Sequence, residues 1–293
     1  MGIAFASNEL TLVLFTTLAP SGAVAVGIMA LVLLFGSVSP DERHRLDKWL
    51  CIPLVATMAG LVASATHLGN PANALYTFLG VGRSPLSNEV CSAVAFLGTC
   101  GVYWLCSFRL RQNLTVQRIW LAAIIVLGAL FLCMVSLAYN ADTIITWHTP
   151  FVPLALMANA LVGGPVLAAA TLRIAQWPEA AGSASRLWRV LAGVSAAGIV
   201  GSLVLYALHG LELAGLQNHV VSAAELVPAY WPMLLCYGVL CAAGAAASLH
   251  AGRVGCAAHA RAWDALALAC TFAGIFIMRF AFYMMHLPPG LGA

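Results

Sequence analysis

The sequence predicts an all-α, polytopic membrane protein with eight transmembrane helices and both termini on the outer side. Of its 293 residues, 62% are hydrophobic and only 8% are charged, and the apolar residues fall in long runs. Charge this sparse cannot cover the surface of a water-soluble globule of this length. Runs of about 20 apolar residues are long enough to cross a bilayer as helices.

The apolar runs leave no room for a soluble domain, so residues 1–293 are predicted to form a single membrane-embedded anchor domain. The first run has no basic stretch before it and no convincing cleavage site, and we expect a retained helix rather than a signal peptide. The predicted spans are 10–36, 47–68, 89–108, 117–139, 150–173, 187–209, 229–250 and 263–286.

Basic residues set the predicted orientation. Loops one, three, five and seven hold every Lys and Arg except Arg83 and Arg279. Since basic residues concentrate in cytoplasmic loops, both termini and the loops 69–88, 140–149 and 210–228 are predicted to face outward. The net charge of +3 is therefore a topological signal and does not indicate nucleic-acid binding. The nine cysteines are scattered without a CxxC pair or a Cys/His cluster, so no metal site is predicted.

The stretch 66–90 is a long polar interruption in the front half of the sequence. One predicted span ends at His67, and an N-cap serine with Pro85 and Glu89 is placed to open the next. An imidazole and a carboxylate therefore meet at the same end of two adjacent helices, with Arg83 between them in sequence. These groups can hold a quinol head group and accept its protons. Two structural interpretations stay open: Glu89 as a partner of the helix dipole, and His67 as a polar residue closing a helix.

Further polar residues end the even-numbered spans on the same predicted face. Ionisable groups at this depth are costly unless they face a cavity or a partner, so their gathering indicates a site. They are Tyr139, Asn140 and Asp142, then His209 and Glu212, then Arg279, Tyr283 and His286.

Two structural expectations accompany this group. Arg279 lies several residues inside the last span, and an ion pair with Asp142 or Glu212 is expected. Trp147 is placed where interfacial aromatic residues are typical, as are Tyr230 and Trp231, so we expect them to mark the membrane surface.

Two other chemistries compete with quinol binding. A b-type haem needs histidines on different helices at matching depth, and His67, His209 and His286 all lie near one end of their spans. A transporter would have discontinuous helices with polar groups near the midplane, whereas these spans are continuous and their middles carry almost no charge.

The same residues match a known family in order along the sequence. From Glu9 onward the sequence resembles the membrane anchor subunit of anaerobic dimethyl sulfoxide reductase, the DmsC family; it departs at His209, where a glutamine is expected. The matching pieces are His67-Leu68-Gly69-x-Pro71, Leu86-Ser87-Asn88-Glu89, Tyr139-Asn140-x-Asp142, Thr146-Trp147, Gly163-Gly164-Pro165, Glu212-Leu213-Ala214, Leu226-Val227-Pro228-x-Tyr230 and Arg279-x-x-Phe282-Tyr283-x-x-His286.

The resemblance implies an eight-helix anchor without haem or metal in the bacterial cytoplasmic (inner) membrane. Such an anchor oxidises menaquinol in anaerobic respiration and passes the electrons to a four-cluster iron–sulfur subunit, which feeds a molybdopterin catalytic subunit. This protein would hold no site for the terminal substrate. The longer loops 69–88 and 210–228 favour docking of the partners on the outside, and membrane lipid and quinone complete the expected partners.

The family's quinol-site histidine and glutamate fall on His67 and Glu89. The candidates for the lining of the quinol pocket are Arg83, Tyr139, Asp142, Arg279, Tyr283 and His286. The alternatives that stay open are a b-type cytochrome subunit and an anchor of the polysulfide-reductase type.

Overall fold

The computed structural model describes residues 1–67, 71–109, 113–177 and 183–290. Within these ranges the protein is helical, with one isolated bridge between Gln217 and Ser222 and no strand. The helices are α1 (Gly2–Asn8), α2 (Leu10–Phe35), α3 (Pro40–Trp49), α4 (Cys51–Ala65), a 3₁₀ helix (Pro71–Gly80), α5 (Pro85–Ser107), α6 (Leu114–Ala138), α7 (Phe151–Ile174), α8 (Ser183–Leu213), α9 (Ala223–Leu226), α10 (Tyr230–Ala251) and α11 (Ala257–Met284).

Eight helical segments within the described ranges are long and apolar enough to cross a membrane: α2, α3 with α4, α5, α6, α7, α8, α10 and α11. The all-α prediction with eight spans is therefore confirmed. Leu105, Ile119, Val126 and Leu235 are examples of large apolar side chains that are exposed on the flanks of these helices. Such side chains are suited to contact with lipid tails.

The second span begins earlier than its apolar run predicts. The predicted stretch was 47–68, but the helical segment starts at Pro40 because Ser39 and Glu42 form a capping box. Near its C-terminal end, α3 is tied to the bundle by Asp47, whose Oδ1 accepts a 2.8 Å hydrogen bond from the Tyr103 hydroxyl. Hydropathy misses the charged first turns because a cap, not burial, makes them helical.

The third span also begins before its predicted start at residue 89. Ser84 caps α5 by accepting a hydrogen bond from the Ser87 amide, and Pro85 occupies the first helical turn. Glu89 is therefore the fifth residue of α5 and lies beyond the first turn, where no acid is found. This placement does not support the interpretation of Glu89 as a capping residue.

The middle of the bundle is formed by α2 and α7. Of an 18-residue stretch in each, 61% is buried in α2 and 78% in α7. Small residues allow this close approach: a Cβ at Gly163 would meet the Ser21 side chain, and one at Gly164 would meet Val24. α2 also packs on α4 and α6, so its first turns lie between the elements that carry the candidate residues.

Candidate functional site

The candidate residues lie at one end of the bundle, which we call the polar end. Here α2, α5, α7 and α10 begin, and α4, α6, α8 and α11 finish. Backbone contacts join these ends, since the Ile145 amide donates to the Leu287 carbonyl over 2.9 Å. The indole Nε1 of Trp147 donates to the Phe282 carbonyl over 3.2 Å. The segment after α6 is thus fastened along the end of α11.

Arg279 is the most deeply buried charge at the polar end, with 1% of its surface exposed. Its Nε donates a 2.9 Å hydrogen bond to the hydroxyl oxygen of Thr16 on α2. The Thr16 hydroxyl in turn donates to the Leu12 carbonyl over 2.9 Å. Nη2 of the guanidinium has no hydrogen-bond partner among the described residues.

The prediction that Arg279 forms an ion pair with Asp142 or Glu212 was wrong. Asp142 is exposed, and Glu212 is also exposed and accepts a hydrogen bond from the Thr149 hydroxyl instead. Aromatic faces surround the cation in place of a carboxylate. The guanidinium carbon lies 4.1 Å from the ring centre of Phe282, 5.3 Å from that of Tyr139 and 5.6 Å from that of Tyr283. Such contacts stabilise a desolvated cation by about 0.5–2 kcal/mol.

An aromatic cluster completes this environment. The ring of Tyr283 lies 6.1 Å from that of Tyr139 and 5.8 Å from that of Trp147. Trp147 and Tyr230 are buried in the bundle, whereas Trp231 is half exposed. Tandem aromatic residues beside an apolar run do not reveal from sequence which of them faces inward.

Glu89 is buried, with 5% of its surface exposed. Its carboxyl group makes no hydrogen bond or ion pair among the described residues, although it acts electrostatically on the Tyr139 hydroxyl. A buried carboxyl group without a partner is costly, and it persists where a ligand or a proton compensates it. Glu89 therefore has the environment of a binding residue.

His67 lies two residues beyond the end of α4. Its Nε2 is 3.3 Å from Oε2 of Glu9, and the exposed fractions of the two side chains are 44% and 15%. The sequence analysis did not select Glu9 as a site residue. The available signal was an acid directly before the first span, at the same predicted face as His67. No contact joins His67 to Glu89 within the ranges that the structure describes.

His286 lies next to this pair. Its ring stacks on Phe5 of α1, with ring centres 4.2 Å apart and planes at 15°, and it meets the edge of Trp147 at 5.4 Å. Partial burial lowers the pKa of His286 from its usual value, and the charge of Glu9 acts in the opposite direction.

A second series of polar side chains also leads to Arg279. The Tyr237 hydroxyl donates to Oδ1 of Asn159 over 3.0 Å, and Nδ2 of Asn159 donates to the Tyr206 hydroxyl over 2.6 Å. Tyr206 and Arg279 interact electrostatically. These residues come from α10, α7, α8 and α11, and sequence reasoning missed them; the one visible signal was an asparagine inside an apolar run.

Two candidates do not join the cluster. Arg83 and Asp142 are exposed, and no contact places either beside Glu89 or Arg279. His209, where the resemblance led us to expect a glutamine, is buried, and its Nε2 donates to the Thr146 carbonyl over 3.0 Å. His209 and His286 thus engage neighbours of their own, and ligation of a haem would require those contacts to break. No group of three metal-ligating side chains occurs among the described residues.

Two cavities lie away from the candidate residues. One of about 560 Å³ follows α2, α6 and α8 and has apolar walls. The other, of about 260 Å³, lies near the far ends of α7, α8 and α10 and includes Trp188 and Arg253. Neither of these two cavities is lined by Glu89, Arg279 or His286.

Comparison with known proteins settles the family. The family model described as DMSO reductase anchor subunit (DmsC) matches residues 4–285. The protein belongs to this family. It is a multi-pass membrane anchor of an oxidoreductase complex of the DMSO reductase type, and it associates with the other subunits of that complex.

Three relatives of this DmsC-family protein are named accordingly. YnfH, an anaerobic dimethyl sulfoxide reductase subunit of Escherichia coli K12, is 32% identical over 80% of this sequence and 82% of its own length. The C subunit of the same organism's anaerobic dimethyl sulfoxide reductase is 31% identical with the same coverage. The C subunit of the Haemophilus influenzae anaerobic dimethyl sulfoxide reductase is 27% identical over 76% of this sequence and 77% of its own length.

Proposed function

We propose that this anchor oxidises menaquinol at the polar end of the bundle, with His67 and Glu89 binding the two hydroxyl groups and accepting their protons. The observation that carries the proposal is the Glu89 carboxyl group, which is buried in α5 without an ion-pair or hydrogen-bond partner among the described residues. A quinol hydroxyl would supply the missing partner.

The positions of the two proposed proton acceptors can be compared along α2. Glu9, the partner of His67, directly precedes α2, and Thr16, the partner of Arg279, lies two turns further on, about 10 Å along the axis. The Arg279 cluster also contains Tyr139, on which Glu89 acts. A quinol ring between His67 and Glu89 would thus lie along the first turns of α2.

The aromatic cluster gives this position its selectivity. Tyr139, Tyr283 and Trp147 offer flat faces to a bicyclic ring, and the cation of Arg279 favours electron-rich oxygen atoms beside it. His286 lines the same region from the end of α11, while the exposed Arg83 and Asp142 are proposed to act only near its entrance.

Quinol oxidation releases two protons and two electrons. One proton passes to His67 and the other to Glu89, and the electrons pass to a four-cluster iron–sulfur subunit that serves a molybdopterin catalytic subunit. The distribution of basic residues supports an orientation with both termini and the polar end outside the cytoplasmic membrane. Residues 1–293 then act as one membrane-embedded domain.

The test is the turnover of Glu89→Gln in the assembled complex. Loss of the proton acceptor is expected to lower menaquinol-dependent reduction by about 10²–10⁴-fold, while the complex still assembles in the membrane. Glu225→Gln is the matched control, because Glu225 is an exposed acid in α9 at the same end of the bundle. Normal turnover of Glu89→Gln would remove Glu89 from the mechanism.

A further inference from the structure

Glu9 lies between two histidines that come from different ends of the sequence. Its Oε2 is 3.3 Å from Nε2 of His67, which follows α4. It also acts electrostatically on His286, which follows α11. Three titratable groups that are far apart in sequence therefore meet at the polar end.

The carboxylate of Glu9 serves no capping role at this position. Glu9 occupies the N-cap of α2, but its side chain makes no capping hydrogen bond. Its Oε2 is shielded from solvent and has no hydrogen-bond partner among the described residues, so the imidazole of His67 is the partner that compensates it. A shielded carboxylate without such compensation would be strongly destabilising.

We propose that Glu9 is the positioning residue of the quinol site, which orients His67 and takes its Nε2 proton during turnover. This inference rests on the proposed function. In the proposed arrangement Nε2 of His67 faces Glu9, 3.3 Å from Oε2, and Nδ1 is the nitrogen left to face the quinol hydroxyl.

The proton transfer balances as follows. The O–H bond of one quinol hydroxyl breaks as the proton binds Nδ1, while the Nε2–H bond breaks and its proton binds the Glu9 carboxylate. The second quinol proton goes to Glu89. The two electrons leave to the iron–sulfur subunit, so the quinol becomes a quinone. His67 is then neutral with its proton on Nδ1, and the starting state returns when Nδ1 releases that proton to solvent and Glu9 gives its proton back to Nε2.

The charged surroundings of Glu9 are simple. α1 and α2 carry no titratable side chain, and the amino group of Met1 lies at the far end of α1. His67 and His286 are therefore the titratable groups that reach Glu9 from the other described elements. Burial lowers the pKa of His286, and the charge of Glu9 acts in the opposite direction.

The test compares Glu9→Gln and Glu9→Asp in the complete complex, with Glu225→Gln as the control. Two properties are measured from pH 5.5 to 9: menaquinol-dependent turnover, and the rate at which diethyl pyrocarbonate modifies His67, read by peptide mass. Glu9→Gln is expected to lower kcat by about 10–100-fold. It should also raise the rate at which diethyl pyrocarbonate modifies His67, because Nε2 loses its carboxylate partner. Glu9→Asp should recover part of both properties because it keeps the carboxylate.

The outcomes separate the two claims. If Glu9→Gln leaves both kcat and the rate of His67 modification unchanged, or if neither Glu9 variant assembles, Glu9 is structural and the proposal is overturned. If the modification rate changes while the unaltered complex does not oxidise menaquinol, the Glu9–His67 pair stands and the proposed quinol oxidation fails. A fall in kcat without a change in the modification rate would contradict proton transfer through His67.

Discussion

Replacing Arg279 by lysine tests the cluster at the polar end most severely. Lysine keeps the charge but lacks the planar guanidinium that bonds Thr16 and stacks on the aromatic rings. A hydrogen bond from a charged donor contributes about 1.5–3 kcal/mol. Lysine keeps part of the attraction to the aromatic rings, so loss of the planar group from the nearest ring, whose centre is at 4.1 Å, costs about 0.5–1 kcal/mol more.

Arg279→Lys should therefore lower the free energy of unfolding by about 2–4 kcal/mol. For a protein of this length such a loss corresponds to a fall in Tm of about 5–10 °C. The assay is tryptophan fluorescence of the detergent-solubilised protein during heating. Arg83→Lys is the control, because Arg83 is exposed and should change the free energy of unfolding by less than about 0.5 kcal/mol. Equal Tm values for the two variants would refute the argument that the aromatic faces and Thr16 hold the cation.

Three further predictions concern packing, the polar series around Asn159, and pH. Gly22→Ala should destabilise the protein by at least about 1–3 kcal/mol, because the new Cβ would press on the backbone of α4. Gly27→Ala should be neutral or stabilising, because a Cβ there would meet no atom within 4 Å. Thermal unfolding of both variants tests this difference. Asn159→Leu should cost about 2–4 kcal/mol because two buried tyrosine hydroxyls lose their partner, and a Tm within 2 °C of the unaltered protein, roughly 1 kcal/mol, would contradict it. Burial lowers the pKa of His286 in the folded state, so its contribution to stability should be complete above the unfolded pKa of about 6.5 and should be lost as the pH drops below it. His286→Phe can still stack on Phe5 but cannot titrate. Its Tm, measured from pH 8 to 5, should therefore depend less on pH than that of the unaltered protein.

The helical architecture was predictable because bilayer crossing demands long apolar runs, which survive in the sequence without tertiary knowledge. The start of α3 was not, since its charged turns depend on a capping box at Ser39 rather than on hydropathy. The end of the bundle that holds the site was also predictable. Alternating spans bring every second loop to one face, so His67 and Glu89 had to lie at the same end.

The partners of the site residues could not be predicted from sequence. Hydropathy places Arg279 several residues inside the last span, but whether a carboxylate or aromatic faces surround it depends on helix rotation, which a span's composition leaves open. Glu9 was hidden for a related reason, because its contact with His67 depends on the close packing of α2 on α4. The role of Asn159 depends on its hydrogen bonds with Tyr206 and Tyr237, which come from other helices and cannot be predicted from its place in the sequence.

The most direct test of the account is photo-crosslinking of the complex with an azido-menaquinone, followed by peptide mapping. Quinone binding at the polar end predicts labelled peptides around His67 and Glu89, and protection of both by excess menaquinol. Label confined to the cavity near Trp188 and Arg253 at the opposite end would contradict it, and the quinol would then have to be placed between α7, α8 and α10.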